Sequence, residues 1–309
     1  MWTYILRRLL QCIPVIIGVA LIAFILSLLS GTPIRGMLPQ TASPELVRKM
    51  EEYYGFNKPP HERFISYMGS LARGDLGSSM THHGLPVSEM ITSGMAVTLK
   101  LALGAMIVAV ILGGLSGILS AWRPHSLVDY GSSFFAAVGI SFPAFFLAML
   151  FLLVFAEKLK WFPIGGYEAG NIRYLILPCT SLGLIMTASI ARLTRNCLLE
   201  TLSQDYIRTA RSKGVAEAPV LLGHGLPNAM VPVVTVIGND FASLLVGAVL
   251  TETIYQLPGI GTVIYNAIFS RDLPVIMGCC VFFALVFVVI NLVVDITYAF
   301  LDPRIRYGD

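Results

Sequence analysis

Leu101-Ala102-Leu103-Gly104-Ala105-Met106-Ile107-Val108-Ala109-Val110-Ile111-Leu112-Gly113-Gly114-Leu115 carries no charge, and the apolar run around it extends from about 96 to 122 with Lys100 as its only ionisable side chain. A helix rises 1.5 Å per residue, so about 20 such residues cross the hydrocarbon core of a bilayer. The rest of the chain has the same character. Of 309 residues, 56% are hydrophobic and 13% are charged, against roughly 25% charged in a soluble domain. Mean hydropathy is +0.76. One globular core cannot bury that much apolar surface, which argues against a soluble enzyme, a disordered chain or a small disulfide scaffold. The sequence describes an all-α integral membrane protein.

Six stretches are long and apolar enough to span, at approximately 9–30, 96–122, 131–156, 174–191, 229–250 and 275–301. The first follows Arg7-Arg8 as a signal sequence would, but Ser30-Gly31-Thr32-Pro33 is a poor cleavage site, so it reads as a retained helix. The fourth is the shortest and contains Pro178, Thr180, Ser181 and Thr187, which packing inside a bundle tolerates. With a cytoplasmic N-terminus, the inner side holds Arg7, Arg8, Arg123, Arg192, Arg195, Arg208, Arg211, Lys213, Arg304 and Arg306. The two short outer loops hold only Lys158, Lys160, Arg173 and Arg271. The positive-inside rule therefore expects both termini in the cytoplasm. Net charge is +3, with no basic block of the kind that binds nucleic acid.

Three regions follow: 1–30 with the first span, an outer loop at 31–95, and a five-span core at 96–309 containing a cytoplasmic loop at 192–228. In the outer loop, Pro44-Glu45 opens one short helix, and Phe64, Tyr67, Met68 and Leu71 recur at the spacing of a second. The loop is expected to fold as a small cap. In the cytoplasmic loop, Ser203 or Asp205 can cap a helix from Tyr206 to Lys213 that Gly214 ends, and Pro219 suits the first turn of the next. The helix sets Tyr206, Ile207 and Ala210 on one side and Arg208, Arg211 and Lys213 elsewhere. Such a helix either lies on anionic lipid or docks a cytoplasmic protein, and its residues alone leave both open.

Arg208-Thr209-Ala210, Gly214 and Leu226-Pro227 fall at the spacing of the Glu-Ala-Ala loop shared by permease subunits of ATP-binding-cassette importers, with His224 in place of an isoleucine. Tyr206-Ile207-Arg208-Thr209-Ala210-Arg211-Ser212-Lys213-Gly214 resembles the variant of that loop in the oligopeptide, dipeptide and nickel permease family. Tyr4-Ile5-Leu6-Arg7-Arg8-Leu9, Gly55-Phe56-Asn57-Lys58-Pro59 and Gly74-Asp75-Leu76-Gly77 are similar to the same family. So are Asn228-Ala229-Met230-Val231-Pro232, Leu257-Pro258-Gly259-Ile260-Gly261, Arg271-Asp272-Leu273-Pro274 and Asp302-Pro303-Arg304-Ile305-Arg306. The resemblance implies a type I importer permease fold with six spans and an extracytoplasmic cap. It also implies a bacterial inner membrane location, a second homologous permease, two ATPase subunits and an extracytoplasmic binding protein. ATP and magnesium would be held by the ATPases, and no cofactor by this chain. Tyr206, Arg208, Thr209, Ala210, Arg211, Gly214, Leu226 and Pro227 would form the ATPase-coupling segment. The cargo implied is a di- or oligopeptide, with nickel, a metallophore or glutathione as alternatives.

The chain has no Gly-Lys pair for a P-loop, no His-Glu-x-x-His and no Gly-x-Ser-x-Gly, so it reads as a transport subunit and not a catalyst. A self-sufficient ion-driven carrier is the competing class, although no internal symmetry of the kind carriers show is visible. Asn239-Asp240 lies inside the fifth span, where a carboxylate costs about 2.5–3.5 kcal/mol on insertion scales. Asp240 is thus either a pathway group for a cationic cargo moiety or a hydrogen-bonded acid tying helices together. Asn291 and Asp295 share a face of the last span and suit a structural role. Lys100 is expected to snorkel outward. Ser141-Phe142-Pro143 and Pro178 can kink their helices, and His82-His83 alone is too small a set to hold a metal. Cys12, Cys179, Cys197, Cys279 and Cys280 read as small hydrophobes.

Overall fold

The computed structural model describes residues 2–29, 31, 34, 42–82 and 84–301. Every regular element among them is helical, apart from one isolated antiparallel bridge between Ser78 and Pro86. Four helices are long and apolar enough to span: Val87–Trp122, Arg173–Leu202, Glu217–Val246 and Leu273–Val294. The first helix, Trp2–Leu29, contributes a shorter apolar stretch at Ile13–Leu29.

The expected third span is not one helix. Leu127–Gly139 and Ala144–Lys158 meet at 100°, so only as a bent pair do they supply a fifth span. The break falls where Pro143 excludes helical backbone from the residue before it, and Phe142 is extended at φ −91°, ψ 131°. The stretch after the fifth span also departs from expectation. What reads as loop in sequence contains an apolar helix, Ile260–Ser270, ended by Arg271 in the left-handed region at φ 56°.

The chain divides into two compact units. The first comprises residues 1–97 and 258–288. Its outer-loop segment forms the two expected helices. Pro44–Tyr53 is capped by Ser43, whose hydroxyl accepts from the Leu46 amide at 3.3 Å, and Pro60–Ala72 begins on its own proline. Neither helix has a fully buried residue. Phe64 and Tyr67 nevertheless pack on Ala23, Phe24 and Met277, so the second helix rests on the first and last long helices. Val87, Ile91, Ile260, Val275 and Cys279 form a separate core.

The second unit comprises residues 98–257 and 289–309. Here the Val87–Trp122 and Arg173–Leu202 helices approach through glycine. A Cβ on Gly117 would stand 2.7 Å from the Ala191 carbonyl, and one on Gly113 2.9 Å from that of Thr187. Gly113 and Gly117 are four apart, the small-x-x-x-small spacing that lets helix backbones meet in a membrane. Gly183 on the facing helix would strike the Ala105 carbonyl at 2.6 Å. Arg195 of the same helix holds Asp129 through two hydrogen bonds of 2.6 and 2.8 Å, fixing the start of the Leu127–Ser141 helix. Cys179, Cys197, Cys279 and Cys280 are all free thiols. The side chains of Cys12 and Asp295, and residues His83, Arg304 and Arg306, lie outside the description.

Candidate functional site: a docking helix and two buried carboxylates

The expected cytoplasmic helix is present as Asp205–Ser212, eight residues long. Its entry differs from the sequence expectation. Gln204 is the N-cap and makes no side-chain bond, Asp205 is already the first helical residue, and the Ser203 hydroxyl closes the preceding helix on the Glu200 carbonyl. Asp205 still places an acid against the positive end of the helix dipole. The exit is as expected. Gly214 sits at φ +79°, its amide donates to the Arg211 carbonyl at 3.0 Å, and the Val215 amide donates to Ala210 at 3.3 Å. This paired closure needs a left-handed residue, which glycine adopts without a steric penalty.

An eight-residue helix is not stable alone, and three contacts hold this one. Ile207 is its only buried residue, at 0% exposure, and the helix packs on the π-helical turn Val220–Gly225. Arg211 reaches forward to Glu217 through bonds of 2.9 and 3.1 Å. The Asn228 amide donates to the Tyr206 hydroxyl at 3.0 Å and to the His224 carbonyl at 3.1 Å. Among the described residues Arg208 pairs only with Asp205, at 3.6 Å on a solvated surface. Arg208, Thr209, Arg211, Ser212 and Lys213 are all exposed, while Ala210 is half-buried. Leu226 and Pro227 open the following helix, Leu226–Gly247, with the proline in its first turn. The turn is anchored beneath by Leu221, which clusters with Ala121, Leu198 and Ala229.

Asn239 and Asp240 lie within Leu226–Gly247, the first exposed and the second half-buried. A Cβ on nearby Gly238 would overlap the Val294 side chain, so the last helix crosses here at close range. Two further carboxylates, both fully buried, escape a reading from sequence. Glu252 is 0% exposed and accepts from the Thr98 hydroxyl at 2.5 Å. Asp272 is 1% exposed and gathers the 79–81 turn. It accepts from the Ser79 hydroxyl at 2.5 Å, the Thr81 hydroxyl at 2.7 Å, and the amides of Met80 and Thr81 at 3.1 Å each. Burial opposes ionisation of Asp272, but the Ser79, Thr81 and backbone donors outweigh it and hold its carboxyl below the ordinary value. His82 joins the same network through Nδ1, 3.2 Å from the Ser79 hydroxyl and 3.0 Å from that of Thr81. Among the described residues no three potential ligands cluster as a metal site would require. Lys100 is exposed and donates to the Tyr167 hydroxyl at 3.0 Å.

Residues 109–307 match the model of the family described as binding-protein-dependent transport system inner membrane component. The chain belongs to that family. It is a multi-pass component of an inner membrane transport system, not an enzyme. This permease is 42% identical to the dipeptide transport system permease protein DppB of Alkalihalophilus pseudofirmus, over 99% of its own length and 100% of that protein's. It is 39% identical to the oligopeptide transport system permease protein AppB of Bacillus subtilis, again over 99% and 100%. Identity to the glutathione transport system permease protein GsiC of Salmonella choleraesuis is 41%, with the same coverage. In three dimensions it superposes on a chain of the MetNI methionine ABC transporter in an inward-facing conformation, with a TM-score of 0.58. That match covers 70% of the permease and 97% of the other chain at 16% identity, a likeness of fold.

Proposed function

We propose that this permease forms half of the translocation pore of an ATP-driven importer of di- and oligopeptides. The observation that carries this reading is end-to-end relatedness at about 40% identity to permeases named for dipeptides and oligopeptides. Glutathione, named for a third relative, is itself a tripeptide and stays as the second reading. In the mechanism proposed, an extracytoplasmic binding protein delivers cargo above the outer segment at 42–86, which acts as a cap. Six spans cross the bilayer, the bent pair around Pro143 counting as one, with both termini in the cytoplasm. A second homologous permease completes the pore, and two ATPase subunits bind beneath.

Asp205–Ser212 is the coupling helix of this scheme, and its form suits that role. One side is fixed by Ile207, and the remainder presents Arg208, Thr209 and Arg211 outward as a rigid cationic face. Such a face steers an acidic cleft into register. Closure of the ATPases on ATP would move this helix, with Tyr206, Ala210, Gly214, Leu226 and Pro227 transmitting the movement into Leu226–Gly247. Asn239 and Asp240 are the candidate pathway groups, the carboxylate meeting the peptide amine. Affinity purification of the tagged chain in mild detergent tests the scheme. Two ATPases and a second permease should accompany it, and Arg208→Glu with Arg211→Glu should release the ATPases. A chain that purifies alone and moves solute without ATP would refute the reading.

A further inference from the structure

Inside the first unit lies a cavity of about 440 Å³, within the size range of small-molecule sites. Its floor is made by Phe24 and Ser27 of the first helix and by Leu273 and Met277 of the last. Its walls come from Pro44–Tyr53, Pro60–Ala72 and the turns that follow them. Two polar groups facing it have no hydrogen-bonding or ionic partner among the described residues. Arg63 is half-buried between aromatic rings, 4.5 Å from the Phe56 centroid and 5.7 Å from that of Phe24, and no carboxylate pairs with it among the described residues. The Tyr67 hydroxyl is buried and makes no hydrogen bond among the described residues. Burial, with a smaller effect of Cys280, pushes its pKa up to about 12, so it remains a donor. Buried polar groups are seldom left unmet, and two beside one cavity suggest a missing acceptor. Lys58 adds a second cation, while Glu52 and Asp75 complete the rim with negative charge. Among the described residues Asp75 accepts only through Oδ1, from the Gly77 amide at 2.8 Å.

We propose that this cavity binds the headgroup of phosphatidylethanolamine, its phosphate on Arg63, Lys58 and the Tyr67 hydroxyl and its ammonium between Glu52 and Asp75. The paired signs select a zwitterion. A purely anionic lipid would meet the two carboxylates unfavourably, and a choline headgroup has no N–H to give them. The floor favours a lipid over a free peptide, because Phe24 and Met277 belong to helices that cross the membrane. Beyond the cavity, Ile22, Ile25, Leu26 and Leu29 lie exposed along the first helix, a surface for acyl chains. Exposed Tyr53 and Ile65 place amphipathic and apolar side chains on the same segment, as expected where protein meets the headgroup layer. The proposal rests on the reading that residues 42–86 lie at the outer membrane surface.

Native mass spectrometry of the full chain, titrated in detergent with phosphatidylethanolamine, phosphatidylcholine or phosphatidylglycerol, tests it without calling on ATPases or transport. Phosphatidylethanolamine should be retained at least about fivefold more than the other two. Arg63→Gln should reduce its retention about tenfold, and Tyr67→Phe, which keeps the ring and its packing, by a few-fold. Arg63→Lys should recover part of the loss. Equal retention of the three lipids, or full retention by both Arg63→Gln and Tyr67→Phe, would overturn the assignment. Displacement of the bound lipid by a dipeptide would overturn it too, by making the cavity a cargo site. Failure of the ATPases to copurify would refute the importer reading and leave these outcomes as decisive as before.

Discussion

Ile207→Ala should detach the proposed coupling helix, Asp205–Ser212, while leaving the permease folded. The three contacts that hold Asp205–Ser212 differ widely in strength. The Arg211–Glu217 pair is bidentate but solvated, with 41% and 62% of the two side chains exposed, and such pairs contribute about 0.2–1 kcal/mol. The Asn228–Tyr206 hydrogen bond is also exposed and contributes about 0.5–1.5 kcal/mol. Truncating a buried isoleucine costs about 2–5 kcal/mol, so Ile207 outweighs either polar contact. Even the lower figure raises the population of the detached helix about thirtyfold, since each 1–2 kcal/mol is a factor of about 5–30. Hydrogen exchange in the intact chain reads this directly at the Lys213, Gly214 and Val215 amides, whose bonds close the helix. Exchange there should quicken about thirtyfold or more in Ile207→Ala and no more than about fivefold in Arg211→Gln. In the assembled transporter, Ile207→Ala should lose transport before it loses the ATPases, because the cationic face survives. Equal loosening by Arg211→Gln, or none by Ile207→Ala, would show that something other than the apolar anchor seats the helix.

Further perturbations probe other parts of the permease. Asp272→Asn turns an amide N–H₂ toward donors that now face an acceptor, so at least one goes unmet at about 1–3 kcal/mol; faster exchange at the Met80 and Thr81 amides is the expected readout. The Asp272 carboxyl is held below the usual carboxylate range, so its contribution is fully present above the ordinary value of about 3.9. It is lost only as pH falls through the lowered folded value, so protection at the same amides, taken relative to their intrinsic exchange rates, should stay flat from pH 8 to 5 and fall below about 4. Gly117→Val drives a side chain into the Ala191 carbonyl and Thr194 and should destabilise by about 1–3 kcal/mol or more, read as a lower thermal aggregation midpoint in detergent. Gly114→Val, with nothing within 4 Å of the added carbon, should leave that midpoint unchanged. Asp240→Asn should alter the preference among peptides of different charge in reconstituted transport, and unchanged uptake and preference would remove the carboxylate from the pathway.

Much of this architecture is legible in the sequence because lipid imposes a simple rule on it. An apolar run of about 20 residues must be helical to satisfy its own backbone, and that rule alone locates Val87–Trp122, Arg173–Leu202, Glu217–Val246 and Leu273–Val294. Local chemistry marks other boundaries equally well, as Ser43-Pro44 and Gly214 show. The rule is silent where tertiary partners decide. Pro143 signals a bend, but its 100° depends on what the two halves pack against. Ile260–Ser270 is too short to be read as a span, and its apolar face is explained only by the core it joins through Ile260 and Ala267. Asp272 and Glu252 look in sequence like ordinary loop acids. Their burial follows from donors 191 to 193 residues away for Asp272 and 154 for Glu252, a separation no local pattern encodes. The Gly113–Gly117 spacing was the one available sequence signal for the close helix crossing.

The packing around the proposed coupling helix also bears on how its movement would reach the middle of the membrane. A Cβ on Gly225 would stand 3.1 Å from the Leu202 side chain and 3.3 Å from that of Leu198. The end of one long helix and the start of the next are therefore pressed together next to Asp205–Ser212. A push on Asp205–Ser212 thus meets both helices at once and cannot be absorbed by spreading them. What can yield is Val220–Gly225, where the π-helical register replaces the ordinary ladder and glycines at 223 and 225 lower the cost of backbone change. Above that turn the chain runs in unbroken helix from Leu226 to Gly247. Asp240 stands fourteen residues along it, about 21 Å at 1.5 Å per residue. In the proposed scheme a rotation started at the turn reaches Asp240 along this one helix, in which Pro232 leaves a single ladder bond unmade. In the proposed scheme the π-turn, more than the helix Asp205–Ser212 itself, is where flexibility sets the efficiency of coupling. Replacing Gly223, which has open space around it, by alanine should stiffen the turn and lower transport per ATP without releasing the ATPases. Unchanged transport per ATP in Gly223→Ala would show that the hinge lies elsewhere.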